Sequence, residues 1–273
     1  MTTLQKIIKY CAIAFAVFLI ISIIGGITGA VAGVSFLWDD EDTVGEMQAL
    51  AVTGEVRKMA IDLKSTQLEV RAGDRFSAAS NYRDFKIDNS DGTLLIEEEH
   101  PGFRFGSGGR KLILTIPDNQ EFDRVDISAG AGTVKIDTLS AEKLFLDLGA
   151  GEVNIEELTA KDSAKINGGA GELNIRGGEL ANLDFDMGVG EVNLKSRLSG
   201  DCDIDYGIGE LNLTLLGSPE DYRITLDKGV GEATLDGKKM QDGEVYGSGD
   251  TRIDIDGGIG ALHLTRVASS RVR

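Results

Sequence analysis

Five glutamates recur at nearly even spacing, Glu152, Glu172, Glu191, Glu210 and Glu232, and an asparagine follows each of the first four two residues later, at Asn154, Asn174, Asn193 and Asn212. On an alternating strand, residues two apart share a face. If successive copies stack in register, the glutamates form one column about 4.8 Å apart and the asparagines the next. Asparagine columns can pair amide to amide along a stack, which is a structural role. A carboxylate column is different, because neighbours repel by roughly 1 kcal/mol each even at the dielectric of water. Asp147, Asp186 and Asp205 add a further acidic set just upstream of the same positions. Two readings stay open. Hard divalent cations take several carboxylate oxygens and would neutralise such a surface; alternatively the acids are a splayed, solvated face that keeps the domain soluble.

The elements that would align these residues are marked by glycine. Seven Gly-x-Gly triplets recur at a nearly regular spacing, each before a short strand-like run, their first glycines being Gly130, Gly149, Gly169, Gly188, Gly207, Gly229 and Gly258. A period near 20 signals stacked repeats. Before each pair, apolar residues alternate, as in Val125 and Ile127, Leu144 and Leu146, Leu183 and Phe185, Cys202 and Ile204, Ile253 and Ile255; after it come pairs such as Val153 and Ile155. Period-two alternation predicts half-buried strands on both sides of a glycine corner. One such unit buries too little to order itself, so it needs neighbours above and below. The predicted fold is all-β, a single-stacked β-solenoid of parallel, in-register strands over residues 121–265. Residues 52–120 read as a less regular β entry region, with a hairpin at Asp91-Gly92, a dipeptide that supplies the positive backbone angles of a tight turn. Residues 237–250 form a loop large enough to be a local site, and residues 266–273 a basic tail.

The chain's 273 residues carry a net charge of −17, and only 6% are aromatic. Residues 1–38 contain Lys6 and Lys9 and no acid, so the negative charge lies entirely beyond them. Phosphate binding draws on basic contacts that release counterions, which excludes nucleic acid as the expected partner. Residues 10–38 hold no charge and are long enough for one membrane helix. Lysines before it and Asp39, Asp40, Glu41 and Asp42 after it place the N-terminus in the cytoplasm and the remainder outside the membrane. Cleavage as a signal peptide after Ala30-Val31-Ala32 is the alternative. Gly25, Gly29 and Gly33 share one face of that helix at a spacing that lets helix backbones approach closely. Residues 39–51 form an acidic linker, with one helical turn over residues 43–51.

The run Lys111-Leu-Ile-Leu-Thr-Ile-Pro117, then Phe122-Asp-Arg-Val-Asp-Ile127 and the glycine repeats, resembles the bacterial "putative adhesin" family over roughly residues 52–265. The resemblance implies an envelope protein with a β-solenoid-like domain of unknown function, often anchored by one N-terminal span, and it supplies no catalytic residues.

The enzyme motifs fail on context. Each Gly-x-Gly is followed by a strand, whereas a dinucleotide loop needs a helix. Leu173 occupies the position where a calcium nonapeptide needs Asp. His100 and His263 are the only histidines, too few for a His-rich metal site and too distant in sequence to suggest a triad. The expectation is therefore a non-enzymatic surface scaffold or adhesin-like binding module without cofactor, meeting a protein or glycan partner, with a divalent cation as a further candidate. The alternative is an accessory protein that reports envelope state to a membrane partner through the glycine-spaced helix.

Overall fold

The computed structural model describes residues 45–52, 54–99 and 109–268. The membrane helix expected over residues 10–38 lies outside these residues, and so do Gly25, Gly29, Gly33 and the residues after 268. Among the described residues, no helix is long and apolar enough to cross a membrane.

The described chain is all-β apart from one short 3-10 turn, Pro219–Asp221. Alternating segments pair with their counterparts one repeat away, in parallel and in register: Phe185 sits beside Ile166 and Ile204, Val192 beside Leu173 and Leu211. Each repeat is thus one rung of two strands, one before the glycine corner and one after, and both send alternate side chains into a single interior. Val125, Ile127, Leu144, Leu146, Leu183, Phe185, Cys202, Ile204, Ile253 and Ile255 are all buried, as expected. Strand pairing continues through the corners, so that Phe122–Ile175 is β throughout as it winds through successive rungs.

The corners explain the glycines, and they do so by two different constraints. The second glycines stack as Gly132, Gly151, Gly171, Gly190, Gly209, Gly260 and Gly231, all with φ between 134° and 159°. A Cβ on Gly190 would lie 1.8 Å from the Gly171 carbonyl oxygen, and one on Gly231 would lie 1.6 Å from that of Gly260. The first glycines have no such φ, but a Cβ on Gly149 would come within 2.0 Å of the Gly130 carbonyl oxygen. Backbone angle alone therefore accounts for only the second column; close approach of successive backbones accounts for both columns from Gly149 onward.

The stack order departs from the chain order at both ends. Residues 52–120, expected as an irregular entry, supply two further rungs. Lys58–Leu63 with Gln67–Gly73 lies beside the rung that starts at Phe122, and Thr93–Glu98 with Lys111–Pro117 lies outside that. At the other end, Thr251–Val267 inserts between Asp201–Leu216 and the pair Tyr222–Asp227 and Val230–Leu235, which becomes outermost. Antiparallel strands cover the two outer rungs. Phe85–Ser90 and Ser77–Ser80 do so at the first end, and Lys238–Lys239 and Val245–Gly247 at the second. Gln48–Leu50, where a helical turn was expected, is instead a strand antiparallel to Ser77–Ser80. The hairpin at Asp91-Gly92 forms as predicted, with φ of 52° and 72°. Residues 237–250, read from sequence as a loop that could be a site, are part of the cap: Met240 is 1% exposed and its amide donates to the Ala233 carbonyl.

The Lys58–Gly73 rung has no glycine corner. Its turn at residues 64–66 is held instead by the buried Glu98, whose Oε2 accepts the amides of Lys64 at 2.7 Å, Ser65 at 3.0 Å and Thr66 at 3.3 Å, while Arg110 donates to Oε1 at 3.2 Å. Burial pushes the Glu98 pKa up, but the Ser65, Lys64 and Thr66 donors outweigh it and hold the carboxyl below its ordinary range.

Two outcomes follow from these contacts. Gly190→Ala should abolish cooperative folding or cost more than about 3 kcal/mol, because backbone cannot yield to a Cβ. Gly237→Ala, with φ of 75° and open space around it, should cost about 1 kcal/mol in urea melts. Glu98→Gln should cost about 1–3 kcal/mol at pH 7. A depressed folded-state pKa stabilises above the unfolded-state value near 4.3 and loses that contribution as pH falls through the folded-state value. Wild type should therefore lose stability below about pH 5 more steeply than Glu98→Gln does; parallel pH profiles would contradict this role.

Candidate functional site

The register brings the expected column together. Glu172, Glu191 and Glu210 occupy equivalent positions in adjacent rungs, and Glu152 joins them through the stacked Gly151 and Gly171. Glu232 does not extend the column directly. Ala261 pairs with both Glu210 and Glu232 and separates them, because Thr251–Val267 is inserted between their rungs. All five glutamates are exposed.

The asparagines form the ladder expected of them. Asn174 Nδ2 donates to Asn154 Oδ1 at 3.1 Å, Asn193 to Asn174 at 2.9 Å and Asn212 to Asn193 at 3.0 Å. The second N–H of each amide donates to the glutamate two residues before it, Asn154 to Glu152 at 2.7 Å, Asn174 to Glu172 at 2.8 Å, and Asn193 to Glu191 and Asn212 to Glu210 at 3.0 Å. An amide has two donors and its oxygen can accept; the ladder uses one donor along the stack and the other sideways. This fixes one oxygen of each glutamate and offsets part of the column's repulsion without any cation. At one end Arg176 donates to both Glu156 and Asn154. At the other, Asn212 meets His263 in register, and His263 Nδ1 lies 3.1 Å from Thr234 Oγ1.

On the opposite side of the corner Asn167 separates Asp147 from Asp186, but the structure assembles more acid around Asp186 and Asp205. Asp186, Asp205, Asp256 and Asp227 follow one another in register, and Asp184, Asp203 and Asp254 form a parallel column one alternation away. Burial raises the Asp205 pKa, and Asp256, Asp186, Asp203 and Asp184 raise it further. Sequence reasoning missed Asp254 and Asp256 because their rung comes fifty residues after its neighbour. The signal was present in the match of Asp203-Ile-Asp205 to Asp254-Ile-Asp256. Among the described residues, no three His, Cys, Asp or Glu side chains gather as a group that could hold a metal ion. Cys202 is free and buried, and burial pushes its thiol pKa up.

The sequence profile of the Toastrack family, DUF4097, matches residues 56–257. The chain belongs to this family. No curated protein matches it. Among solved structures, the Toastrack chain is similar to a putative cell adhesion protein from Clostridium sporogenes, at 15% identity and a TM-score of 0.35, covering 81% of this chain and 99% of that one. It is also similar to a putative adhesin from Bacteroides fragilis, at 11% identity and a TM-score of 0.33 over 81% and 96% of the two chains. A putative adhesin from Parabacteroides distasonis matches at 14% identity with a TM-score of 0.31, over 82% and 98%.

The ladder makes a specific stability prediction. Asn193→Asp keeps an acceptor but loses two donors and sets a charge beside Glu191, so it should destabilise by about 1–3 kcal/mol at pH 7 and recover part of that at pH 4. Asn193→Ala should show no such recovery in the same urea titrations.

Proposed function

We propose that this protein is a non-enzymatic surface module, a scaffold or adhesin-like binder, held at a membrane by residues 10–38 with its β-solenoid outside. The observation that carries the binding role is the ladder of Asn154, Asn174, Asn193 and Asn212 with Glu152, Glu172, Glu191 and Glu210. It presents the same polar groups at the same orientation rung after rung, with their conformations fixed before any partner arrives. Fixed, repeated groups lose little freedom on binding and can act together on an extended partner. The anchoring is supported by the charge change across residues 10–38, from Lys6 and Lys9 to Asp39, Asp40, Glu41 and Asp42.

The test is retention of bacteria displaying the full chain on a panel of protein-coated and neutral-glycan-coated surfaces under flow. Displaying cells should be retained severalfold better than cells without the chain on at least one surface. Replacing Glu172, Glu191 and Glu210 together by Gln should remove that advantage at an unchanged display level. Equal retention with and without the chain on every surface would contradict the reading.

A further inference from the structure

We propose that the corner column of the last four rungs is a docking stripe for a cationic amphipathic polypeptide segment, one with apolar residues along its centre and Lys or Arg along both borders. This rests on the binding role proposed above and names its partner chemistry. The residue between the two corner glycines is Ala131, Ala150 and Ala170 in the first three glycine-cornered rungs, then Val189, Ile208, Ile259 and Val230 in stack order. Val230 is 46% exposed, and Val189, Ile208 and Ile259 are half-buried. Alanine builds the same corner in the first three rungs, so the larger aliphatic side chains exceed what the turn requires.

What surrounds this column gives it a direction. The glycine columns on either side carry no side chains, so bare backbone borders the aliphatic residues. Beyond the glycines run two acidic rails, Asp186, Asp205, Asp256 and Asp227 on one side and Glu191, Glu210 and Glu232 on the other, interrupted only by Ala261. The first three corners offer Ser128, Asp147 and Asn167 on one side and Thr133, Glu152 and Glu172 on the other. The aliphatic half and the acid-rich half of the stack therefore coincide. Lys228 is the one basic residue among residues 186–191, 205–210, 227–232 and 256–261. Burial first, and then the carboxylates of Asp256, Asp186, Asp203 and Asp184 crowded beside the stripe, raise the Asp205 pKa; an incoming cation relieves the second of these. Four rungs span about 14 Å, which three turns of helix would cover.

The probe is a 14-residue Leu/Lys peptide designed as an amphipathic helix, with a sequence-scrambled peptide of identical composition as control, titrated into the full chain at physiological salt and read by fluorescence anisotropy. Attraction to net negative charge alone treats both peptides alike; the stripe predicts roughly tenfold tighter binding of the amphipathic one. Ile208→Ser with Ile259→Ser should weaken it about tenfold, whereas Ala150→Ser with Ala170→Ser should not. Asp205→Asn with Asp256→Asn should weaken binding and flatten its dependence on salt. Should the Ile pair unfold, Val189→Ser with Val230→Ser takes its place. Equal affinity for the two peptides, or an apolar-to-Ser variant that keeps its melting curve and its affinity, overturns the stripe. If the chain then still retains cells on the surface panel, the general binding role stands; if it does neither, both fall.

Discussion

The contact on which the structure depends is backbone against backbone at the corners. Each second glycine of a corner holds a φ that a side chain disfavours, and from Gly151 onward its α-carbon faces the carbonyl of the glycine one rung away, leaving no room for a methyl group. This sets the spacing of the rungs at a fixed point, and everything else is carried along. Inward residues meet like residues above and below, the asparagine amides come within hydrogen-bonding distance of one another, and the acids line up in columns. A side chain at any one of these glycines would displace the two rungs it separates, and with them the register of the ladders on both faces.

A stack of parallel strands has two open edges, and exposed edges invite pairing with other chains. Here both ends are closed by the same device. The outermost rung is not the terminal one in sequence, because a later or earlier segment is inserted beneath it, and short antiparallel strands then cover it. Met240 fills the second end. At the first end Glu98 takes over, through three backbone amides, the turn that glycines make elsewhere.

Much of the fold was legible because its period is carried by residues with few alternatives. The glycine pairs and the alternation of Leu183 with Phe185 or Cys202 with Ile204 gave the corners, the strands and their inward faces. The asparagine ladder could also be read, since identical amides in register have an obvious partner. Stack order does not follow chain order: the even spacing predicts Glu232 next to Glu210, and Ala261 stands between them. The better guide was similarity between rungs: residues 202–209 match 253–260 more closely than 224–231. The Lys58–Gly73 rung lacks the glycine corner, so it gave no repeat signal even though Leu68 and Val70 alternate as the others do. The side-chain link from each asparagine to its glutamate could not be read from composition, because it depends on a rotamer and not on spacing.

The order and register of the rungs can be measured directly by nuclear Overhauser contacts between glycine backbone protons in the folded domain. Contacts should connect Gly190 to Gly209, Gly209 to Gly260 and Gly260 to Gly231, each pair being adjacent at about 4.8 Å, with none between Gly209 and Gly231. A direct Gly209 to Gly231 contact, or the absence of contacts along the column, would contradict the stack on which the ladders and the docking stripe are built.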